Sequence, residues 1–515
     1  MAAPVELSKV PVHISTRGAY IYVKDLTEKQ ASYIEKSFTI RNKNILGFWD
    51  IIKCYSYRRI GQDPCILIPR FGPRVICEKI RLKPHNRIEA GQTARFTITA
   101  EFRGNQRVVF NELMATYFNA AQVQKGLAGT IINLEPGQGK TYLGMQVIAH
   151  LGLKTFIVTH NELILKQWAD AIAQCMAGAR VGLWYGKRKT ANADSDIIIS
   201  IINSAINYEG WDNIGLCIFD EAHLYCSKGR AEVFDKCQST YMLGLTATPE
   251  DRKERQDGTY KIIQWHIGPV LDAAQVDGYT VEDIPFQGRV RMVKYRGHPD
   301  YTETLINERL EIVSNSKMIA QLAQDPYRIK LVVRLTQEAI RETGINLFIF
   351  ANRRSYLEDI HARLVEIHGT APLFFTNAVE EAAIMTIMGN STQDAVAAAE
   401  AHSRIILTTY QYFGVGKSIP RMNAMILATP FRTGSKQYIG RIFRLGSDYS
   451  IVRNIIDIVD WDTTLKSQWY SRKKYYAEKE YPIIAEQVQW NEFHEVATTA
   501  PIVDTTTAPI VDTTT

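Results

Sequence analysis

Short apolar runs that alternate with amphipathic stretches occupy two separate parts of the chain. Each run is bounded by polar or turn-forming residues, which predicts a buried strand, and the stretch after it has helical periodicity. This alternation is typical of parallel sheets covered by helices. The predicted strands are residues 130–134, 155–158, 196–201, 216–219 and 241–245 in the first part, and 346–350, 404–408, 424–428 and 451–458 in the second. The pattern therefore predicts an α/β chain with two successive lobes.

The flanking regions have different patterns. Short β-rich runs (19–23, 65–69 and 95–99) and one helical stretch (27–36) predict a small α+β accessory domain at the front. The octapeptide APIVDTTT is repeated over residues 500–515, and such low-complexity sequence predicts disorder from residue 497 onward. The predicted regions are an accessory domain at 1–100, a first lobe at 101–275, a connecting segment at 276–345 with a helix over 325–343, a second lobe at 346–482 and a tail at 483–515.

Length and charge agree with several domains, one of them basic. A chain of 515 residues with 46% apolar residues exceeds what one hydrophobic core organises. Residues 1–100 carry 17 Lys/Arg against 8 Asp/Glu, or +9, so the net charge of +6 leaves −3 for the rest. A basic front domain indicates a contact with a phosphate backbone, although a merely soluble basic domain would have the same charge.

Several classes of protein are disfavoured. No apolar run approaches the roughly 18 residues of a membrane-spanning helix, and the first residues lack the profile of a signal peptide. The seven cysteines form no CxxC pair, which argues against a zinc site or a disulfide framework. We therefore expect an intracellular protein from a reducing compartment with no membrane partner.

A glycine-rich loop follows the first predicted strand of the first lobe. It contains Pro136, Gly137, Gln138, Gly139, Lys140 and Thr141 and leads into a helical run over 142–151. In this position backbone N–H groups converge on an anion, and glycines allow the close approach that a Cβ would block. Lys140 is placed to reach the β- and γ-phosphates of a nucleotide, and the Thr141 hydroxyl to ligate Mg²⁺. Leu134 stands where the strict phosphate-loop pattern has its first glycine, so an ordinary glycine-rich turn is the alternative.

A pair of carboxylates ends the strand predicted at 216–219. Asp220 and Glu221 precede Ala222 and His223, so a buried strand delivers adjacent acids to the edge of a parallel sheet where ligands bind. Asp220 is predicted to hold Mg²⁺. Glu221, also near the metal, is predicted to act as the general base that activates water. An acidic cap of a helix is the alternative interpretation.

Together these motifs resemble those of the superfamily 2 helicases, whose core is a pair of RecA-like lobes that bind ATP. GQGKT, DEAH and the run Thr246–Pro249 resemble motifs I, II and III, and the stretch from Thr408 and Thr409 through Gly416 to Ser418 resembles motif V. Gln437 to Arg444 matches the QxxGRxxR pattern of motif VI, and residues 103–106 are similar to the adenine-reading segment of the XPB/UvsW-like branch. The resemblance covers residues 100–482.

The resemblance implies a role for each matching residue. Gln437, Arg441 and Arg444 would act on the γ-phosphate from the second lobe, with Arg444 as the principal arginine finger. Gln106 would read the adenine edge, and Gly416 and Ser418 would contact the nucleotide. His223, Thr246 and Thr248 would couple the state of the phosphate to the nucleic-acid track, although local turn hydrogen bonds are the alternative. The track itself would be bound by Thr159, Asn161, Asn203, Ser204 and Thr409.

Some features resemble, more narrowly, the DEAH helicases of large nucleocytoplasmic DNA viruses. They include residues 296–300, 324–326 and 440–448 and the basic-aromatic run over 472–476. The resemblance implies an ATP- and Mg²⁺-dependent helicase or translocase on duplex nucleic acid, with DNA favoured over RNA. It also implies a place in viral transcription or DNA remodelling, with transcription or replication machinery as partner and the host cytoplasm or virion as location. An RNA helicase and an ATP-switched nucleic-acid clamp are the alternatives.

Overall fold

The chain is divided into two compact units. The structure is a computed structural model that describes residues 9–43, 49–135, 138–211, 213–237, 239–247, 258–280, 286–309, 311–368, 384–389, 391–413, 419–431, 435–443 and 448–493. The first unit contains residues 1–286 together with 411–421 and 433–450. The second contains residues 287–410, 422–432 and 451–515.

A small mixed sheet begins the first unit. Its strand order is β5-β6-β2-β1-β7, with β1 parallel to β7 and the other pairs antiparallel. A separate hairpin, β3-β4, and the helix Glu28–Ser37, capped by Thr27, lie between these strands in sequence. The strands are β1 Val10–Ser15, β2 Gly18–Tyr22, β3 Thr39–Lys43, β4 Trp49–Lys53, β5 Ser56–Ile60, β6 Asp63–Ile68 and β7 Leu82–Asn86, and the short helix Pro73–Ile76 lies between β6 and β7.

The eight-stranded sheet of the first unit positions the predicted chemistry. Its order is β13-β12-β14-β10-β15-β16-β9-β17, and every pair is parallel except β12-β13. Its strands are β9 Gly129–Asn133, β10 Thr155–Thr159, β12 Val181–Tyr185, β13 Arg188–Lys189, β14 Ile197–Ile201, β15 Leu216–Asp220, β16 Tyr241–Thr246 and β17 Val270–Asp272, while β8 Thr97–Ile98 pairs with β11 Met176–Ala177. The α-helices of this region are Gln106–Glu112, Ala120–Gln124, Lys140–Leu151, Glu162–Cys175, Ile202–Ala205, Lys228–Lys236 and Tyr260–His266.

The front sheet and the first lobe share one hydrophobic core. Val12 and Ile66 from the small sheet belong to the same buried cluster as Ile131 and Phe219 from the large one. Arg70 joins the two parts by polar contacts as well. Its buried guanidinium donates to the carbonyl oxygens of Gly126 (2.8 Å), Ser239 (2.7 Å) and Thr240 (2.6 Å). The residues predicted as an accessory domain are therefore packed into the first unit.

The second unit has a seven-stranded sheet that is parallel throughout, in the order β22-β23-β21-β24-β25-β18-β26. Its strands are β18 Gly288–Arg296, β21 Leu347–Ala351, β22 Ile384–Ile387, β23 Ile405–Thr409, β24 Ala424–Leu427, β25 Arg453–Asp460 and β26 Ile483–Gln489, and the short pair β19 Ile306–Asn307 and β20 Ile312–Val313 lies apart. Its longer helices are Asn315–Leu322, Pro326–Ile340, Arg354–His368, Gln393–His402 and Trp469–Glu478.

Two buried ion pairs hold helices against β25. Arg328 donates to both carboxylate oxygens of Asp460, at 2.7 and 3.0 Å. Arg472, from the basic-aromatic run noted in the sequence, donates to both oxygens of Asp457 at 2.8 Å, and the Tyr476 hydroxyl donates to the same carboxylate. Such bidentate pairs fix the direction of a helix because both partners are planar.

The mixed α/β fold with two parallel sheets is confirmed. Each apolar run predicted as a lobe strand forms a strand whose ends lie within two residues of the predicted ones. Two segments differ from the expectation: β18 was assigned to the connecting segment and β26 to the tail, yet they are adjacent strands of the second sheet. The predicted disorder from residue 497 lies outside the described residues. Among the residues that are described, no helix is both long and apolar enough to cross a membrane.

Replacing Arg70 by Met is expected to destabilise the first unit. Three buried carbonyl oxygens would lose their donor, and each unsatisfied buried acceptor costs about 1–3 kcal/mol. We predict a loss of about 3 kcal/mol or more in the free energy of unfolding, measured by urea denaturation. Arg59→Met, at an exposed position of β5, is the matched control; equal stability of the two variants would contradict this role of Arg70.

Candidate nucleotide-binding site

Three neighbouring parallel strands bring the first-lobe motifs to one edge of the sheet. Strands β15, β16 and β9 lie side by side, with Asp220 opposite Leu245 and Thr246 opposite Asn133. The Leu134 N–H donates to the Thr246 carbonyl at 2.9 Å, which ties the start of the glycine-rich loop to the end of β16. The loop, the carboxylate pair and Thr246 therefore meet at the carboxyl edge, where parallel sheets bind ligands.

The glycine-rich loop leads directly into the helix Lys140–Leu151. Gly139 stands before the first helical residue with φ at 75°, in the left-handed region, and a Cβ there would lie 2.3 Å from Gln106 Nε2. Both observations require glycine at this position. Lys140 and Thr141 occupy the first turn, where free N–H groups and the helix dipole favour an anion. Pro136 and Gly137 lie outside the described residues.

Gln106 contacts the backbone of this loop. Its side-chain Nε2 donates to the carbonyl oxygens of Gln138 and Gly139, both at 3.2 Å, and its Oε1 accepts from the Arg103 N–H at 3.0 Å. The side chain is buried, so in this structure its amide supports the loop. Adenine recognition by Gln106 stays a prediction. Nearby, the Arg103 guanidinium lies over the Tyr142 ring at 5.4 Å.

Asp220 is a buried carboxylate with a defined set of donors. Its Oδ1 accepts from the Glu221 N–H at 3.0 Å and its Oδ2 from the Trp168 indole N–H at 2.9 Å. Burial, together with the neighbouring Glu221 charge, raises the pKa of Asp220 above its ordinary value, although the Trp168 hydrogen bond and the Lys140 charge oppose the rise. Two acids confined in this way gain stability from a cation between them and a phosphate.

Glu221 and His223 form a second polar group at the same edge. Glu221 has φ at 50°, a left-handed conformation that is strained for a residue with a Cβ and is concentrated at functional sites. Its Oε2 is buried, makes no hydrogen bond to any described residue and lies 3.4 Å from His223 Nδ1. The same Nδ1 lies 2.9 Å from Thr246 Oγ1. The His223 imidazole therefore lies between Glu221, the predicted general base, and Thr246 at the end of β16.

These residues fit a magnesium nucleotide. The start of a helix, a lysine and a hydroxyl face the same edge as two carboxylates, and the buried Glu221 Oε2 has no hydrogen-bond partner among the residues described. Oxygen ligands of this kind are those that Mg²⁺ prefers, and Mg²⁺ bound to phosphates usually takes only one or two protein ligands. Thr141 and Asp220 would hold the ion, which would supply charge neutralisation between the phosphates.

The residues predicted to bind the nucleic-acid track are not all at the surface. Thr159 is fully buried, and its hydroxyl lies 3.2 Å from the carbonyl oxygens of both Asn161 and Ser200, which argues against a direct contact. Asn161 caps the helix Glu162–Cys175 by accepting from the Ile164 N–H. Asn203 is exposed and Ser204 partly exposed in the helix after β14. In the second unit, Thr409 ends β23.

Part of the second-lobe motifs can be placed. Gln437 lies in the helix Ser435–Ile439, and Arg441 is buried in the turn Gly440–Ile442. The segment 433–450 that carries them belongs to the first compact unit, with Lys140, although its neighbours in sequence belong to the second. Arg444, Gly416, Ser418 and Thr248 lie outside the described residues.

The sequence did not single out Trp168. It lies in the helix Glu162–Cys175, and its ring also packs against Gly144 of the loop helix, where a Cβ would meet the indole at 2.7 Å. In the sequence, Trp168 looks like any apolar residue on the buried face of an amphipathic helix, and nothing indicates the residue to which its indole N–H donates. The hydrogen bond to Asp220 gives it a place in the site.

The fold and this edge are those expected of a nucleoside-triphosphate site of the phosphate-loop class, and comparisons with known proteins show the family. A family model described as "Type III restriction enzyme, res subunit" matches residues 99–251. An African swine fever virus protein named "Putative ATP-dependent RNA helicase QP509L" is 33% identical over 371 residues, which cover 68% of this chain and 69% of that protein. The archaeal "DNA 3'-5' translocase XPB2" of Sulfurisphaera tokodaii is 30% identical over 151 residues, or 28% of this chain and 32% of that protein.

Among solved structures, "The crystal structure of T4 UvsW" covers 94% of this chain and 100% of that chain, with 15% identity and a TM-score of 0.36. The African swine fever virus relative shows the family: the chain belongs to the superfamily 2 helicases of large DNA viruses. It is an ATP-hydrolysing enzyme of that family.

Replacing Trp168 by Phe is expected to weaken the use of Mg²⁺. The aromatic packing would stay, but Asp220 would lose the donor that orients it, and changes to such supporting residues cost about 10- to 100-fold in metal affinity or activity. We expect the Mg²⁺ concentration for half-maximal ATPase activity to rise by about that factor. Trp211→Phe is the control, since its buried indole N–H has no hydrogen-bond partner among the described residues. Equal Mg²⁺ dependence in both variants would contradict this role.

Proposed function

We propose that this helicase uses ATP hydrolysis to move along or unwind duplex nucleic acid, with DNA as its main substrate. The observation that carries the proposal is the meeting of Lys140, Asp220, Glu221 and Thr246 at one edge of the first sheet. A lysine can bind the phosphates of a nucleotide and a glutamate can activate water. A threonine hydroxyl next to them can relay the state of the phosphate to the nucleic-acid-binding surface. A place in viral transcription or DNA remodelling is part of the proposal.

In the proposed chemistry each side chain has one task. Lys140 and the N–H groups of the first helical turn bind the phosphates, and Glu221 accepts a proton from the attacking water. Gln437 orients the water or the γ-phosphate, and Arg441 and Arg444 stabilise the charge that develops there, an effect of about 10³–10⁵ in related phosphoryl transfers. That residues 433–450 belong to the unit of Lys140 supports a shared site for Arg441.

Coupling to movement is assigned to His223 and Thr246. His223 Nδ1 lies 3.4 Å from the Glu221 carboxylate and 2.9 Å from the Thr246 hydroxyl. Hydrolysis changes the charge near Glu221 and therefore the hydrogen bonding of His223 to Glu221 and Thr246. Thr246 is the last residue of β16, so a change at its hydroxyl acts where the chain leaves the sheet. Thr248, further along the same segment, is proposed to act with it.

The relatives support DNA and RNA to different extents. The match to the archaeal protein named a DNA translocase covers only 151 residues, or 28% of this chain. The African swine fever virus protein is named an RNA helicase, and it matches a larger share of the chain. RNA is therefore the specific alternative. Asn203 and Thr409 are the proposed contacts to the sugar-phosphate backbone in either case.

Strand displacement on tailed duplexes tests the function directly. We expect ATP-dependent displacement of a labelled strand from DNA duplexes with a 3′ or 5′ tail, at a higher rate than from matched RNA duplexes. Displacement from RNA alone would transfer the proposal to the RNA alternative. ATP hydrolysis with neither displacement nor translocation, measured by removal of a bound streptavidin block, would overturn it.

The Glu221→Gln variant separates a motor from an ATP-switched clamp. Loss of the general base is expected to lower single-turnover hydrolysis by about 10²–10⁴-fold, while binding of a fluorescent ATP analogue remains. Glu232→Gln, at an exposed helical position, is the control. A turnover rate equal to the wild type would remove Glu221 from its assigned role.

The Thr246→Val variant isolates coupling. Valine keeps the volume and the strand conformation but removes the hydroxyl that His223 contacts. We expect displacement to fall at least about fivefold more than ATP hydrolysis, the effect of roughly 1 kcal/mol from one lost hydrogen bond. Thr130→Val, on a hydroxyl bonded to the Pro269 carbonyl, serves as control. Parallel loss of both activities in Thr246→Val would contradict a coupling role.

A further inference from the structure

A cavity of about 590 Å³ lies in the first unit, away from the glycine-rich loop and the carboxylate pair. It is bounded by the segment before β10, the β12–β13 hairpin and the loop that follows the helix Ile202–Ala205. Its volume is within the range of about 300–1,000 Å³ that is usual for ligand sites. The polar and aromatic residues of its wall include Lys154, Trp184, Lys189, Asn192, Asn207 and Glu209. None of them was matched to a helicase motif.

The ammonium group of a buried lysine forms part of the cavity wall. Lys154 is only 6% exposed, and its backbone is held by hydrogen bonds to the Gln92 carbonyl (2.7 Å) and from the Gly215 N–H (2.8 Å). Its Nζ donates to the Ala193 carbonyl oxygen at 2.9 Å and forms no ion pair with any described residue. Burial lowers the pKa of Lys154 from its ordinary value, opposed by the charge of Asp196. Because a buried charge ordinarily has a partner of opposite sign, an anion in this cavity would stabilise Lys154.

The charges around the cavity favour such an anion. Asp196 is already paired, since its two carboxylate oxygens accept from the Arg180 guanidinium at 2.9 and 2.8 Å and one also accepts from the Arg180 backbone N–H at 3.1 Å. The charged side chains that line the cavity are two lysines, Lys154 and Lys189, and one acid, Glu209. Two positive charges against one negative charge leave a formal charge of +1 on the lining.

Aromatic rings form the less polar part of the wall. The Trp184 indole N–H donates to the Ser204 carbonyl oxygen at 3.1 Å, which fixes the ring, and the buried Tyr208 meets Trp184 edge-on at 5.1 Å. The Lys189 ammonium lies 4.6 Å from the centroid of the Trp184 ring, so a second cation is held beside the cavity. Charges next to such a wall interact more strongly than in water because the effective dielectric constant is lower.

The cavity adjoins the helix that carries a proposed contact to nucleic acid. The side-chain amide of Asn207 donates to the Asn203 carbonyl oxygen at 3.2 Å, and the Trp184 indole bonds the residue after Asn203. Amide and lysine side chains are among the groups that contact phosphate oxygens. A ligand in this cavity therefore lies next to Asn203, the proposed contact to the sugar-phosphate backbone.

We propose that this cavity binds a phosphate ester, with Lys154 and Lys189 neutralising its charge and Asn207 donating to its oxygens. A phosphate suits the cavity because its several oxygens accept from two ammonium groups and an amide at once. The ester belongs either to a nucleic-acid strand that passes Asn203 or to a free nucleotide, since both carry the same group. The strand as its source rests on the proposed function, whereas the binding of phosphate does not.

Equilibrium binding without ATP tests the cavity. Uridine monophosphate would be titrated by calorimetry, and labelled single-stranded oligothymidylate by fluorescence anisotropy. Lys154→Met keeps the length of the side chain and removes its charge. It is expected to weaken binding about 10- to 150-fold, the range for one lost hydrogen bond to a charged group. Uridine monophosphate binding that persists in Lys140→Ala and falls in Lys154→Met assigns this nucleotide to the cavity and not to the glycine-rich loop.

Two exposed lysines of the β12–β13 hairpin provide a second variant and a matched control. Lys189→Ala is expected to weaken binding about two- to fivefold, as for an exposed ion pair, and because Lys189 is exposed this variant tests the cavity even if Lys154→Met does not fold. Lys187→Ala removes the same charge from the turn of the hairpin, outside the cavity lining, and is expected to leave binding unchanged. Thermal melting of each variant separates lost binding from lost folding.

The two probes identify the source of the phosphate. A loss for oligothymidylate alone assigns the cavity to a nucleic-acid strand, and a loss for uridine monophosphate alone assigns it to a free nucleotide. Wild-type protein that binds neither probe would overturn the proposal. So would wild-type affinity in folded Lys154→Met, or an equal loss in Lys187→Ala and Lys189→Ala, since the contact would then lie on the surface of the hairpin.

This test is separate from that of the motor function because no ATP is present. A chain that binds either probe through Lys154 but displaces no strand would reject only the motor function. A chain that displaces strands while Lys154→Met binds both probes like the wild type would reject only the cavity.

Discussion

The confinement of two adjacent carboxylates at the end of one buried strand is the constraint on which the rest of the site depends. Strand β15 is buried along its whole length, so the chain delivers Asp220 and Glu221 to a fixed point. Lys140 and the Trp168 indole offset part of the resulting charge. The strained backbone of Glu221 persists because the neighbouring parallel strands hold the edge in place, and so does its buried Oε2, which has no hydrogen-bond partner among the residues described.

The front of the chain is part of this construction. Arg70 links the small sheet to the first lobe by donating hydrogen bonds to three backbone carbonyl oxygens, and both sheets contribute to one hydrophobic core. Burial lowers the pKa of Arg70 to about 9, so the guanidinium remains charged at neutral pH and stays a strong donor.

The sequence predicted the lobes because parallel strands are buried on both faces and appear as apolar runs. It missed β18, whose sequence GRVRMVKYR alternates charged and apolar residues, and β26, whose residues are mostly exposed, because neither forms such a run. The motif residues were found through their resemblance to the helicase motifs. Trp168 and Arg70 were not, because each depends on a partner far along the chain, such as Asp220 for Trp168. Conversely, Thr159 matched a motif, yet its hydroxyl is buried against Ser200.

The central claim is that the edge shared by Lys140, Asp220 and Glu221 binds the triphosphate and its metal. An experimental structure with Mg²⁺ and ADP–aluminium fluoride would test it most directly. The account predicts the fluoride next to Lys140 and Glu221, the metal on Thr141 with Asp220 beside it, and Arg441 or Arg444 within hydrogen-bonding distance of the fluoride. A nucleotide bound elsewhere, or both arginines turned away from the fluoride, would contradict it.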